Sequence, residues 1–195
     1  MLSAVRLINS YGLLAALLAL PWALLAAGYW MERLFYGEVV HESGMWAIRL
    51  TMAALLVTPL RRLFPRHAWT TWLVERRRYL GVAAFAYVLL HTAVYAQRAG
   101  LTRTLSEATE LGLLTGWLAL LIFLPLAATS NDVSVRRMGV AWKRVHRFVY
   151  LAAVLSFVHW VLVAFDRTAA YLHLAILAAF ELARVLVERP RKSRS

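Results

Sequence analysis

Residues 79–96 read YLGVAAFAYVLLHTAVYA and residues 148–165 read FVYLAAVLSFVHWVLVAF. Both runs are apolar, free of aspartate, glutamate, lysine and arginine, and each holds one imidazole, His91 and His159. Each is close to the roughly 20 residues a helix needs to cross about 30 Å of hydrocarbon. An ionisable ring at that depth is costly unless something pairs with it, so both histidines are candidate site residues.

The rest of the chain has the same character. Of 195 residues, 62% are hydrophobic and 16% charged, with a mean hydropathy of +0.61, more apolar than soluble globular domains are. Apolar stretches at about 8–30, 45–60, 79–97, 111–128, 145–164 and 169–187 predict six crossing helices and leave no room for a soluble domain. The expected fold is therefore all-α, a polytopic six-helix transmembrane bundle forming one domain over 1–195. Arg6 followed by a leucine and alanine run has the outline of a secretory signal. The run outlasts the 7–15 residues or so of a signal core and reaches Tyr29 and Trp30, an interfacial anchor, so it reads as a retained helix.

Two connections read as loops. The longer is RRLFPRHAWTTWLVERRR, residues 61–78, whose start is bracketed by Pro59 and Pro65; the other is SNDVSVRRMGVAWKRVHR, residues 130–147, which opens on turn residues and becomes a basic, aromatic helix start around Trp142.

Basic residues are retained on the cytoplasmic side of a membrane. With the N-terminus inside, Arg6, the segments 61–78 and 136–147, and the tail 184–194 hold one, six, five and five basic residues, seventeen of the 22. The outer side keeps Arg33, Arg49, Arg98, Arg103 and Arg167 with six of the ten acids. The chain reads as an inner-membrane protein with both termini cytoplasmic. Its net charge of +12 is a topology signal, not the footprint of a nucleic-acid binder.

There is no cysteine, hence no disulfide, thiolate-held cluster or covalent haem attachment. Neither GxGxxG nor GxxxxGK[ST] occurs, so the chain carries no nucleotide-binding fold of its own.

Depth joins the two histidines. His91 lies 13 positions beyond Arg78 and His159 lies 12 beyond Arg147, so at about 1.5 Å per residue both sit about 18–20 Å in from the inner surface. Their helices run in the same direction, which predicts two imidazoles at one level in the outer half, as a non-covalent b-type haem with two axial histidines requires. Two turns back on the same faces stand Ala84 and Ala152, with Ala83, Ala153 and Ser156 beside them, and these small residues are expected to leave space for the macrocycle. The competing class is a transporter or scaffold whose histidines bond to backbone or hydroxyl groups.

His146 lies near the inner surface, either a ligand to a second haem or an interfacial side chain among cations. His41 and His67 are expected to be solvated, and His173 to hydrogen-bond near the outer surface. Arg98, two turns above His91, is the candidate partner for haem propionates or a simple end-of-helix charge.

RRRYLGVAAFAYVLLHTAVY (76–95), WKRVHRFVYLAAVLSFVHW (142–160) with its H-x12-H spacing, and SGMWAIRLTMAALLVTPLRRL (43–63) together resemble the ferric-reductase-like transmembrane superfamily, nearest its small YedZ/MsrQ-like branch. The resemblance implies a haem b cytochrome moving electrons across the membrane, with His91, His146 and His159 as its histidines. It implies a quinol or cytoplasmic flavin reductase as donor, a flavin such as FMN in some members, and a periplasmic molybdopterin methionine-sulfoxide reductase as acceptor. A stand-alone reductase of ferric iron or another outer acceptor is the other reading. Larger relatives carry two histidines on the third helix where this chain has one, which turns attention to Arg77 and Arg78 as holders of haem propionates or a flavin phosphate at the inner face.

Overall fold

The computed structural model describes residues 11–192, with side chains to Leu186; Arg6 and the last tail residues lie outside them. All regular structure among these residues is helical: α1 Tyr11–Trp30, α2 Tyr36–Leu63, α3 Ala68–Glu107, α4 Leu111–Ala128, α5 Asp132–Met138, α6 Val140–His146, α7 Phe148–Val163 and α8 Thr168–Lys192. Six spans are long and apolar enough to cross a membrane, α6 and α7 together making one of them.

The expected loop at 61–78 is mostly helix. Pro65 ends α2, but from Arg66 to Leu80 there is neither glycine nor proline, so α3 restarts at Ala68 and runs through Arg76, Arg77 and Arg78. Only residues 64–67 turn the chain, closed by Arg61, whose Nη1 donates to the Pro65 carbonyl at 2.6 Å and to Thr70 Oγ1 at 3.0 Å. The loop at 130–147 is likewise two short helices. Asn131 caps α5 by accepting from the Ser134 N–H at 2.8 Å, and Gly139, at φ +51°, separates α5 from α6.

α3 has 40 residues, but Gly100 sits at φ +75°, ψ +163° and folds its outer end back. Tyr95 and Glu107 would stand about 18 Å apart along a straight helix; instead the Tyr95 hydroxyl donates to Glu107 Oε2 at 3.3 Å, and Arg103 pairs with the same carboxylate at 2.6 Å. This backbone region is open essentially to glycine alone. Gly100→Ala is expected to destabilise the bundle by about 1–3 kcal/mol, seen as a lower thermal midpoint in detergent, whereas Gly81→Ala, where a methyl meets nothing within 4 Å, leaves the midpoint in place.

α2 is the central rod, buried along most of its length, while α1 and α8 show leucines outward. Outward leucines cost nothing against lipid. α2 packs on α3 through Ala47, Leu50, Ala84 and Tyr87, and α4 packs on α7 through Ala119, Phe123, Leu126 and Ala152. The two helix pairs face each other, each bringing one histidine to the space between.

Candidate functional site

His91 on α3 and His159 on α7 meet across that space, their ring centres 6.1 Å apart and their planes at 90°. Each Nδ1 reaches a backbone carbonyl on the neighbouring helix: His91 to Val40 of α2 at 2.9 Å, and His159 to Gly112 of α4 at 2.8 Å. A carbonyl only accepts, so both Nδ1 atoms carry the proton and each Nε2 keeps its lone pair. Backbone bonding, the hallmark of the scaffold reading, thus uses one nitrogen and frees the other. Two imidazoles that share a metal at about 2.0–2.1 Å from each nitrogen have ring centres about 6 Å apart, which is the spacing found.

A cavity of about 860 Å³ surrounds the pair, in the size range of cofactor pockets. Thr51, Val88 and Phe123 line it, together with Trp117, next to Gly116, and Trp160, next to His159. Among the described residues no cluster of three or more histidine, cysteine or carboxylate side chains could hold a metal by itself. A metal on this pair takes its remaining ligands from elsewhere, and a porphyrin supplies four.

The small residues expected to make this space do something else. Ala84 and Ala152 are almost fully buried in helix contacts and do not line the cavity; of that group only Ser156 does. The room comes from Gly44 on α2 and Gly116 on α4. A methyl added at Gly44 would lie 3.2 Å from His91 Nδ1, and one at Gly116 2.8 Å from His159 Nδ1. Gly112-Leu-Leu-Thr-Gly116 is a small-xxx-small spacing that lets helices approach closely, a signal within the sequence that points to α4.

His41, expected to be solvated, belongs to α2 and lines the cavity. So does Arg49, expected among the outer charges, which stands thirteen residues inside α2 and about 7 Å inward of Gly44. α2 begins nine residues before the stretch at 45–60 because Phe35 starts it, its N–H donating to Glu38 Oε2 at 2.8 Å, a carboxylate in a helix's first turn. Among the described residues no carboxylate pairs with Arg49. Arg98, by contrast, does not line the cavity. It is exposed about 10 Å further out than His91, beside the bend at Gly100, within electrostatic reach of Tyr36.

His146 stands apart from the outer pair. Its Nε2 bonds Thr129 Oγ1 at 3.0 Å, its ring stacks on Trp142 at 3.8 Å, and Arg77 and Arg78 lie within electrostatic reach of it. The structure therefore brings these three residues together. Arg77 donates to Thr58 at 3.2 Å, and Arg78 pairs with Asp132 at 2.7 Å. The hydrogen bond from Arg78 holds the exposed Asp132 carboxyl below its usual range, so the pair stays charged through neutral pH and opens only as pH falls through that lowered value. His67 is exposed in the turn between α2 and α3, and His173 bonds the Ala169 carbonyl at 2.7 Å.

Comparison with known proteins bears on this geometry. Residues 43–157 match the family described as ferric reductase like transmembrane component, a span that takes in Gly44, His91, Gly116 and His146 and ends two residues before His159. The chain is a ferric-reductase-like transmembrane protein of the YedZ/MsrQ-like branch. It is 39% identical over 153 residues to a protein-methionine-sulfoxide reductase heme-binding subunit MsrQ of Deinococcus radiodurans, covering 76% of this chain and 74% of that one. It is 40% identical over 129 residues to the Agrobacterium fabrum protein of the same name, covering 63% and 56%, and 36% identical to that of Cronobacter sakazakii, covering 75% and 74%. The chain thus spans just over half the length of the Agrobacterium fabrum relative. No solved structure matches.

Proposed function

We propose that this chain is a b-type haem electron-transfer subunit of the inner membrane, with His91 and His159 as the axial ligands of one haem. The observation that carries this reading is the paired imidazoles, proton-bearing nitrogens turned away to carbonyls, 6.1 Å apart in a cavity of cofactor size. Haem iron supplies a one-electron ferric/ferrous couple when bound. The protein's share is ligation, burial and charge. His91 and His159 would hold the iron through their Nε2 atoms, an all-protein axial pair that would suit outer-sphere electron transfer. Val88, Phe123 and Trp117 keep water from the inner side of the site, and Arg49 offers a cation to a propionate.

The relatives' shared name, a heme-binding subunit of a protein-methionine-sulfoxide reductase, supports such a reductase as the acceptor; in this reading it is a periplasmic molybdopterin protein, and quinol or a cytoplasmic flavin reductase serves as donor. At the inner face His146, Arg77 and Arg78 form a second cluster, suited to a flavin phosphate such as that of FMN or to a second haem. Arg78→Gln is expected to lower FMN retention about tenfold, the worth of one charge-assisted hydrogen bond, read by flavin fluorescence, with the outer haem spectrum unchanged.

The test is purification in mild detergent with haem supplied during expression. A split, low-spin reduced spectrum with haem bound to the folded chain supports the reading; a folded, colourless protein overturns it. Co-purification with a molybdopterin protein, against ferric-chelate reduction by the chain alone, decides the acceptor.

A further inference from the structure

The two histidines are seated by one device used twice. His91 bonds the carbonyl of Val40, and Gly44 stands four residues further along α2; His159 bonds the carbonyl of Gly112, and Gly116 stands four residues further along α4. In a helix the Cα–Cβ bond tilts toward the N-terminus, so the side chain at i+4 covers the outward side of the carbonyl at i. That carbonyl already accepts inside its own helix, from the N–H at i+4 and, at these two seats, from a hydroxyl at i+3, Ser43 Oγ at 3.2 Å and Thr115 Oγ1 at 2.8 Å, so the ring shares it with them. At these two seats the ring stands where that side chain would be: a methyl at Gly44 would lie 3.2 Å from His91 Nδ1, and one at Gly116 2.8 Å from His159 Nδ1. The same close approach recurs on two different helices, and the rings they hold stand at 90°.

We propose that Gly44 and Gly116 are positioning residues that open the Val40 and Gly112 carbonyls to the two histidines and thereby lock the axial imidazole planes at right angles. This rests on His91 and His159 being the haem ligands. Neither glycine touches the metal; each acts through the ring it seats. The hydrogen bond fixes the tautomer and strengthens the imidazole as a ligand, and the angle between the planes sets how the ferric iron's d orbitals split. Perpendicular planes leave two of those orbitals nearly equal in energy, which gives a low-spin paramagnetic resonance signal far more anisotropic than parallel planes do.

The experiment uses the purified ferric holoprotein. The unmodified chain is expected to give the highly anisotropic low-spin signal; the rhombic signal of near-parallel imidazoles would overturn the proposal whatever the variants do. Gly116→Ala, whose methyl would sit 2.8 Å from His159 Nδ1, is expected to lose haem several-fold or to keep haem whose signal and midpoint potential have moved. Gly44→Ala, at 3.2 Å, should move them in the same sense by less, and Gly81→Ala, in open space, should move neither. Unchanged haem content, signal and potential in Gly116→Ala would also overturn it. A chain that binds no haem at all, or keeps its haem after loss of His91, defeats the underlying ligand assignment instead.

Discussion

His91→Ala and His159→Ala are each expected to remove the low-spin haem spectrum and to drop haem per chain to background in protein that still folds. The effect is large because the bond is all or nothing: neither ring has a neighbour that can replace it. The nearest other imidazole on the cavity wall, His41, lies one residue from Val40, whose carbonyl already seats His91. Removing one ligand also leaves a vacant apolar space beside the partner ring, which lowers retention further. Folding should survive, because the core contacts of both helix pairs run through Ala84, Tyr87, Phe123 and Ala152 rather than through the histidines. Haem stoichiometry and the reduced spectrum, alongside monodisperse elution in detergent, check this; an unchanged spectrum in either variant refutes the pairing. His146→Ala, acting at the inner face, should leave that spectrum in place.

Arg49→Gln is expected to weaken haem retention by about 10–100-fold. A cation on the wall of a membrane cavity, with no carboxylate paired to it among the described residues, calls for an anion, and a haem carries two carboxylates. Hydrogen bonds to charged groups contribute about 1.5–3 kcal/mol each, which sets that range. The same change should shift the midpoint potential downward in favour of the ferric form if propionate charge is left uncompensated beside the iron. Haem titration of the apoprotein and a redox titration of the holoprotein check both. Lys at this position should recover part of the loss, since it restores the charge but not the two-pronged geometry of a guanidinium. An Arg49→Gln protein that binds haem as the parent does would show that Arg49 serves topology alone.

The sequence made the meeting of the two proposed ligands legible because depth is a one-dimensional property. Counting from the last arginine of the basic segment before each helix placed His91 and His159 at one level, and their rings meet. It did not carry the site's walls, because helix-face arguments treat each helix alone. Ala84 and Ala152 lie on the histidines' own helices and faces, yet the space beside each ring is bounded by the helix opposite, where Gly44 and Gly116 lie. Arg49 and His41 were missed for a related reason. Arg49 was counted as outer charge and His41 as a solvated residue of the outer loop, whereas α2 starts at Tyr36 and carries both along the cavity wall, His41 still exposed. Arg98 lies on the right face but further out, exposed where the chain bends at Gly100 and off the cavity wall, as its reading as an end-of-helix charge expects.

By itself the sequence determined that the chain is a six-helix membrane bundle, since hydrocarbon thickness and the need to satisfy every backbone hydrogen bond leave long apolar segments one choice. It also determined which two rings share a level, since rise per residue is constant along a helix. Tertiary structure alone decided which helix lends each histidine its carbonyl, which glycines let the rings approach, and which cation reaches the cavity. Those depend on how helices rotate and pair, and among apolar surfaces in lipid that is settled by close packing between neighbours, which no single segment encodes.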